Sequence, residues 1–174
     1  AALGATDGLK LALNVAAMLV AFVALLAMID WCIGAVCGFK AVAPVFAAMG
    51  IENPTLASIM GWALSPVAWS MGVPWAESQQ VGGLLGTQVI ATEFVAYTKL
   101  TAAMEAGTLS PRSAQIVTYA LCGFANVASI GIQIGGLSAL APERRGDLAA
   151  LAPRAMVAGA LACWMTGAIA SLFI

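Results

Sequence analysis

The sequence predicts an all-α membrane protein: spanning helices combined with a re-entrant helical hairpin and a discontinuous helix. Three observations lead there. Of 174 residues, 62% are hydrophobic and 9% charged, with a mean hydropathy of +0.98, where a soluble domain carries roughly 25% charged residues. A carboxylate, Glu93, stands between two apolar stretches that are each too short to cross a bilayer. A second apolar run, 113–142, is interleaved with Asn126, Ser129 and Gln133 and with several glycines. An ionisable or amide side chain at membrane depth is costly, so such residues point to a binding or transport site.

Composition also excludes chemistry. There is no histidine, which removes Ser-His and Cys-His nucleophilic pairs, HExxH zinc sites and imidazole relays. Seven basic against eight acidic residues give no reason to expect nucleic acid. Cys32, Cys37, Cys122 and Cys163 lie in apolar runs without CxxC pairing, so they read as buried free thiols and not as disulfides or a metal site. The chain opens on Ala1 with no recognisable signal-peptide cleavage region, and is expected to be a piece of a longer protein.

Residues 11–29 are uncharged and have Asn14 as their one strongly polar side chain. At ~1.5 Å per residue this stretch spans a ~30 Å hydrocarbon core and can continue past Asp30. It predicts the first spanning helix within 1–40, in which Asn14 is a ligand or, on the plainer reading, hydrogen-bonds to a neighbouring helix. Residues 54–76 are also uncharged, but Pro66 interrupts them, Gly72-Val-Pro74 ends them and Trp62, Trp69 and Trp75 punctuate them. Tryptophan favours the membrane–water interface. The segment reads as an interfacial helix, with a kinked span as the competing reading.

Residues 79–105 read as the hairpin, with Glu93 at its tip and about three apolar turns on each side. Gly82, Gly83 and Gly86 would let its arms pack closely. A phosphate-cradling loop is the functional alternative for these glycines, but no P-loop lysine follows. Residues 111–140 read as a helix that starts at Ser110-Pro111 and breaks near Gly123. In a regular helix Asn126, Ser129 and Gln133 would share a face; in a broken one, freed backbone groups become ligands. The plainer alternative is hydrogen-bonding glue between helices. Residues 148–174 form the last helix. Arg144, Arg145 and Arg154 place its start in the cytoplasm and the C-terminus outside. By the same count Lys10 is cytoplasmic, with Lys40, Lys99 and Arg112 on or near the other side.

Two stretches carry a family resemblance. Gly86-Thr-Gln-Val-Ile-Ala-Thr-Glu-Phe-Val-Ala-Tyr97 and Ala120-Leu-Cys-Gly-Phe-Ala-Asn-Val-Ala-Ser-Ile-Gly131 together resemble the concentrative nucleoside transporters. The likeness runs over essentially the whole chain. It implies a C-terminal half: the second of two inverted repeats, half 79–174, preceded by a scaffold helix on which a homotrimer is built. It implies cation-coupled nucleoside uptake at a multi-pass cell (inner) membrane, without enzymatic activity. The ribose would be held here by Glu93, Phe124, Asn126 and Ser129, with Thr92 and Gln133 as accessory residues. No metal or cofactor is expected in this chain; the coupling cation, Na⁺ or H⁺, and most nucleobase contacts belong to the N-terminal half of the same transporter. The sequence departs from the family pattern at Thr92, where Asn is usual, and at Gln88, where Lys is common.

Two other classes remain. An intramembrane enzyme would need a nucleophile–base pair or a second catalytic carboxylate at depth, and the one other acid with access to depth, Asp30, follows the first span on a different element. A structural or channel-forming membrane subunit explains the glycine packing but not the placing of Glu93 and Asn126 in two broken segments.

Overall fold

The computed structural model describes residues 2–37, 44, 46 and 54–174. Seven α-helices and one 3₁₀ turn have bounds given below, and no strand occurs among the described residues. Helix α1 runs Ala2–Cys37. The side chains of Lys10, Asn14 and Cys37, and all of residues 38–40, lie outside the described residues. Its contacts with the rest of the chain are sparse, and Leu13, Val20, Met28 and Trp31 are exposed along it. Among the described residues a hydrogen bond joins it to the next helix: Asp30 Oδ1 accepts from the N–H of Leu56 at 2.7 Å, satisfying one of the free donors at that helix's start.

That helix, α2 (Leu56–Ser70), opens on a capping box between Thr55 and Ser58 and runs through Pro66 without ending. The expected interfacial segment therefore stops earlier than residue 76. Gly72, at φ 94°, takes the left-handed turn that a side chain resists, and Pro74 precedes α3 (Trp75–Ile90). The chain turns by 117° between the two helices, which then make the most extensive contact in the fold. Its basis is small residues. A Cβ on Gly82 would lie 2.6 Å from the carbonyl oxygen of Gly61, a Cβ on Gly61 would lie 2.6 Å from that of Gln79, and one on Gly86 would collide with Met60. The hairpin glycines thus seat α3 against α2, and not against the other arm of the hairpin as the spacing had suggested.

Helix α4 (Glu93–Glu105) follows a break at Ala91-Thr92, with Thr92 as N-cap. The outer ends of α3 and α4 meet: Gln80 Nε2 donates to Thr108 Oγ1 at 2.7 Å, and the Ser110 hydroxyl donates to Glu77 Oε2 at 3.0 Å. Helices α3 and α4 are accordingly a hairpin whose closed end is at residues 91–93. Helix α5 (Pro111–Ala120) and helix α6 (Val127–Leu140) are separated by residues 121–126. A 3₁₀ turn, Pro142–Arg144, leads into α7 (Arg145–Ala170), which begins three residues before the expected 148 and ends four before 174. The stretch Pro142–Ala170 is, among the described residues, the one helix long and apolar enough to cross a membrane alone, by length and composition.

Both α5 and α6 pack on α7. Arg112 at the start of α5 donates to the carbonyls of Ser171 (3.0 Å) and Ile174 (2.7 Å), so the start of α5 and the end of α7 coincide. The core of Val81, Leu84, Leu85, Leu100, Ile116, Val117 and Leu121 joins the hairpin to α5. Halfway along α7 the break comes alongside: a Cβ on Gly123 would overlap Cys163 Sγ, and Gly159 faces Ala125. Among the described thiols Cys32 and Cys122 are exposed and Cys163 half-buried, all free. The chain by itself therefore does not bury them as expected.

Candidate functional site

The closed end of the hairpin meets the α5–α6 break. Glu93 is the first residue of α4, where free N–H groups and the helix dipole favour a negative charge. Asn126 is the N-cap of α6. Its amide nitrogen donates to Glu93 Oε2 at 3.1 Å, while its Oδ1 accepts from the N–H of Ser129 at 2.7 Å. One fully buried side chain thus caps a helix with its oxygen and holds a carboxylate with its nitrogen. Two helix N-termini converge here, and Glu93 Oε1 has no hydrogen bond from a described residue, leaving an acceptor for a ligand.

The other expected site residues divide. Ser129 is buried, but its hydroxyl is engaged in the cap: it donates to the Asn126 carbonyl at 2.6 Å and accepts from the Asn126 N–H at 3.3 Å. Thr92, also buried, accepts from the N–H of Val95 at 3.4 Å; it shapes the tip through its cap. Phe124 lies in the break with 47% of its surface exposed, free to cover a flat ligand face. Gln133 is not brought to Glu93. It lines a separate groove of about 110 Å³ with Ile134, Leu137, Leu148 and Leu151, between α6 and α7.

The family described as "Na+ dependent nucleoside transporter C-terminus" matches residues 1–171. The chain belongs to that family. Its relatives include the uncharacterized transporter YutK of Bacillus subtilis, 44% identical over 100% of this chain and 40% of its own length. The putative nucleoside permease NupX of Escherichia coli is 42% identical over 100% of the chain and 40% of its own length. The nucleoside permease NupC of Helicobacter pylori is 39% identical over 98% and 40%. Among solved structures, CNTnw in an inward-facing substrate-bound state superposes with a TM-score of 0.82 at 44% identity, covering 99% of this chain and 40% of that one. The chain therefore spans about two fifths of the length of these relatives.

Two residues of the site were not foreseen as such. Gln88 is fully buried, and its Nε2 donates to the carbonyls of Gly123 at 3.0 Å and Ala120 at 3.5 Å. Tyr97 donates its hydroxyl to the Thr118 carbonyl at 2.8 Å. No pattern in the sequence marks these two roles, because the carbonyls that Gln88 and Tyr97 face are freed only where α5 ends.

Proposed function

We propose that the full-length transporter containing this chain couples uptake of nucleosides to a cation, Na⁺ or H⁺, and that this half holds the ribose. The observation that carries the reading is the contact of Glu93 with Asn126, which joins the hairpin tip to the helix break. A nucleoside is uncharged and polar, and its sugar hydroxyls can donate to a carboxylate. Glu93 accepts such a bond through Oε1 while Asn126 fixes its other oxygen. The N–H groups at the starts of α4 and α6 supply donors to sugar oxygens, and Phe124 covers an apolar face.

The hairpin is re-entrant in this account, and α5 with α6 is one discontinuous crossing. Support comes from the pairing of Gln80 with Thr108 at the open end and from the break lying beside Gly159 and Cys163, inside the spanning stretch Pro142–Ala170. Helix α1, sparsely attached and apolar on its exposed surface, serves as the scaffold toward lipid and the other subunits of a trimer. The site is completed by the N-terminal half, and the hairpin and broken helix move with it against the scaffold for alternating access. Arg144, Arg145 and Arg154 place the start of α7 in the cytoplasm and the C-terminus outside.

The test uses the full-length protein in sealed proteoliposomes. A cation gradient should drive nucleoside accumulation above the external concentration, and Asn126→Ala should abolish most of it. Flux that only equilibrates, whatever the gradient, would favour a channel-forming subunit.

A further inference from the structure

The end of α5 is clasped by side chains of the hairpin. An α-helix leaves its last four carbonyls without partners inside the helix, and those of α5 are Val117 to Ala120. The Val117 carbonyl accepts from the N–H of Leu121 at 2.9 Å and the Tyr119 carbonyl from that of Cys122 at 3.3 Å. The Thr118 carbonyl is taken by Tyr97 at 2.8 Å. The Ala120 and Gly123 carbonyls face the Gln88 amide. Both groups facing that amide are acceptors, so its nitrogen must point at them. Its Oε1 is then left buried with no partner among the described residues. A buried acceptor without a donor is destabilising, and an amide held in that position indicates that its donor side offsets the cost.

We propose that Gln88 is a positioning residue: by donating to the freed carbonyls of Ala120 and Gly123 it fixes the course of residues 121–126, and so sets Asn126 opposite Glu93. The other side of Gly123 is closed by Cys163, so the amide bond decides where the strand of chain between them settles. Three residues on, that placement fixes the Asn126 amide. Gln88 touches no substrate and acts through the Glu93–Asn126 pair; the inference rests on the nucleoside reading for its ligand.

Three substitutions in the full-length protein separate donation from mere filling of space. Gln88→Lys keeps donors and removes the unpartnered acceptor, Gln88→Glu offers acceptors to carbonyls, and Gln88→Met offers neither. Without nucleoside, melting temperatures should fall in the order Lys, Met, Glu. Nucleoside affinity should drop about tenfold or more in Met and Glu and stay within about threefold of the parent in Lys. Adding Asn126→Ala should cost far less affinity in the Met background than in the parent, because the pair it breaks is already misplaced. Equal costs in both backgrounds, or a Glu variant that binds as the parent does, would overturn the positioning role while leaving the nucleoside reading intact. A parent that binds no nucleoside would overturn that reading and the sugar half of this proposal. The melting order alone would then decide whether Gln88 acts as a donor, and a Glu variant as stable as the parent would refute it.

Discussion

Replacing Asn126 separates two duties that the structure places on one side chain. Its oxygen caps α6 by accepting from the N–H of Ser129, and its nitrogen holds Glu93 at 3.1 Å. Loss of an N-cap costs about 1 kcal/mol of stability. Loss of a hydrogen bond to a charged group costs roughly 1.5–3 kcal/mol, or about ten- to a hundredfold in affinity where that bond orients a ligand-binding carboxylate. Asn126→Ala loses both. Asn126→Ser keeps a capping oxygen, since serine is nearly as good an N-cap, but its hydroxyl is too short to reach the carboxylate. The expected result is two lines that diverge in stability and coincide in binding. In the full-length protein the Ala variant should melt below the Ser variant, while both lose about tenfold or more in nucleoside affinity. Equal melting of the two variants would refute the cap, and a Ser variant that binds nucleoside as the parent does would refute the hold on Glu93.

Other substitutions test the packing and the topology. Gly123→Ala places a methyl on Cys163 Sγ and should destabilise the protein by about 1–3 kcal/mol through overpacking; adding Cys163→Ala should restore most of that, and additive losses would show that the clash is not the cause. Gly72→Ala forces a side chain to φ 94° and toward the Ser171 hydroxyl at 2.9 Å, so it should lower the melting temperature, and a variant as stable as the parent would contradict the left-handed turn. In a cysteine-free background, single cysteines at Gln79 and Glu105 should label from one face of the membrane only. Labelling from opposite faces would make residues 79–105 an ordinary span.

The sequence was most legible where polarity conflicts with depth. Glu93 and Asn126 stood out because apolar surroundings make such side chains costly, and the structure brings the two into contact. One helix start was legible for a local reason: Ser110-Pro111 is a start signal that needs no tertiary information. Partners were less so. Gly82, Gly83 and Gly86 announce close packing but not against what, and they meet α2. Pro66 looked like an interruption, yet α2 continues through it with one intrahelical N–H missing. Ser129 and Gln133 shared a face with Asn126 only on the assumption of an unbroken helix. Once the break fell before Val127, the Ser129 hydroxyl turned into the cap and Gln133 lay over toward α7. Gln88 was visible only as a departure from the family's common Lys, since the carbonyls that it faces are freed only where α5 ends.

The central claim, that Glu93 holds the sugar, is tested most directly by binding of a nucleoside and its deoxy analogues to the full-length protein and to Glu93→Gln. The amide keeps one acceptor and loses the charge, and bonds to charged groups exceed neutral ones by roughly a factor of two. The parent should discriminate against loss of the held hydroxyl by about ten- to a hundredfold whichever base the nucleoside carries, and Glu93→Gln should narrow that gap. Sugar discrimination that stays unchanged in Glu93→Gln, with only the base preference altered, would contradict the account.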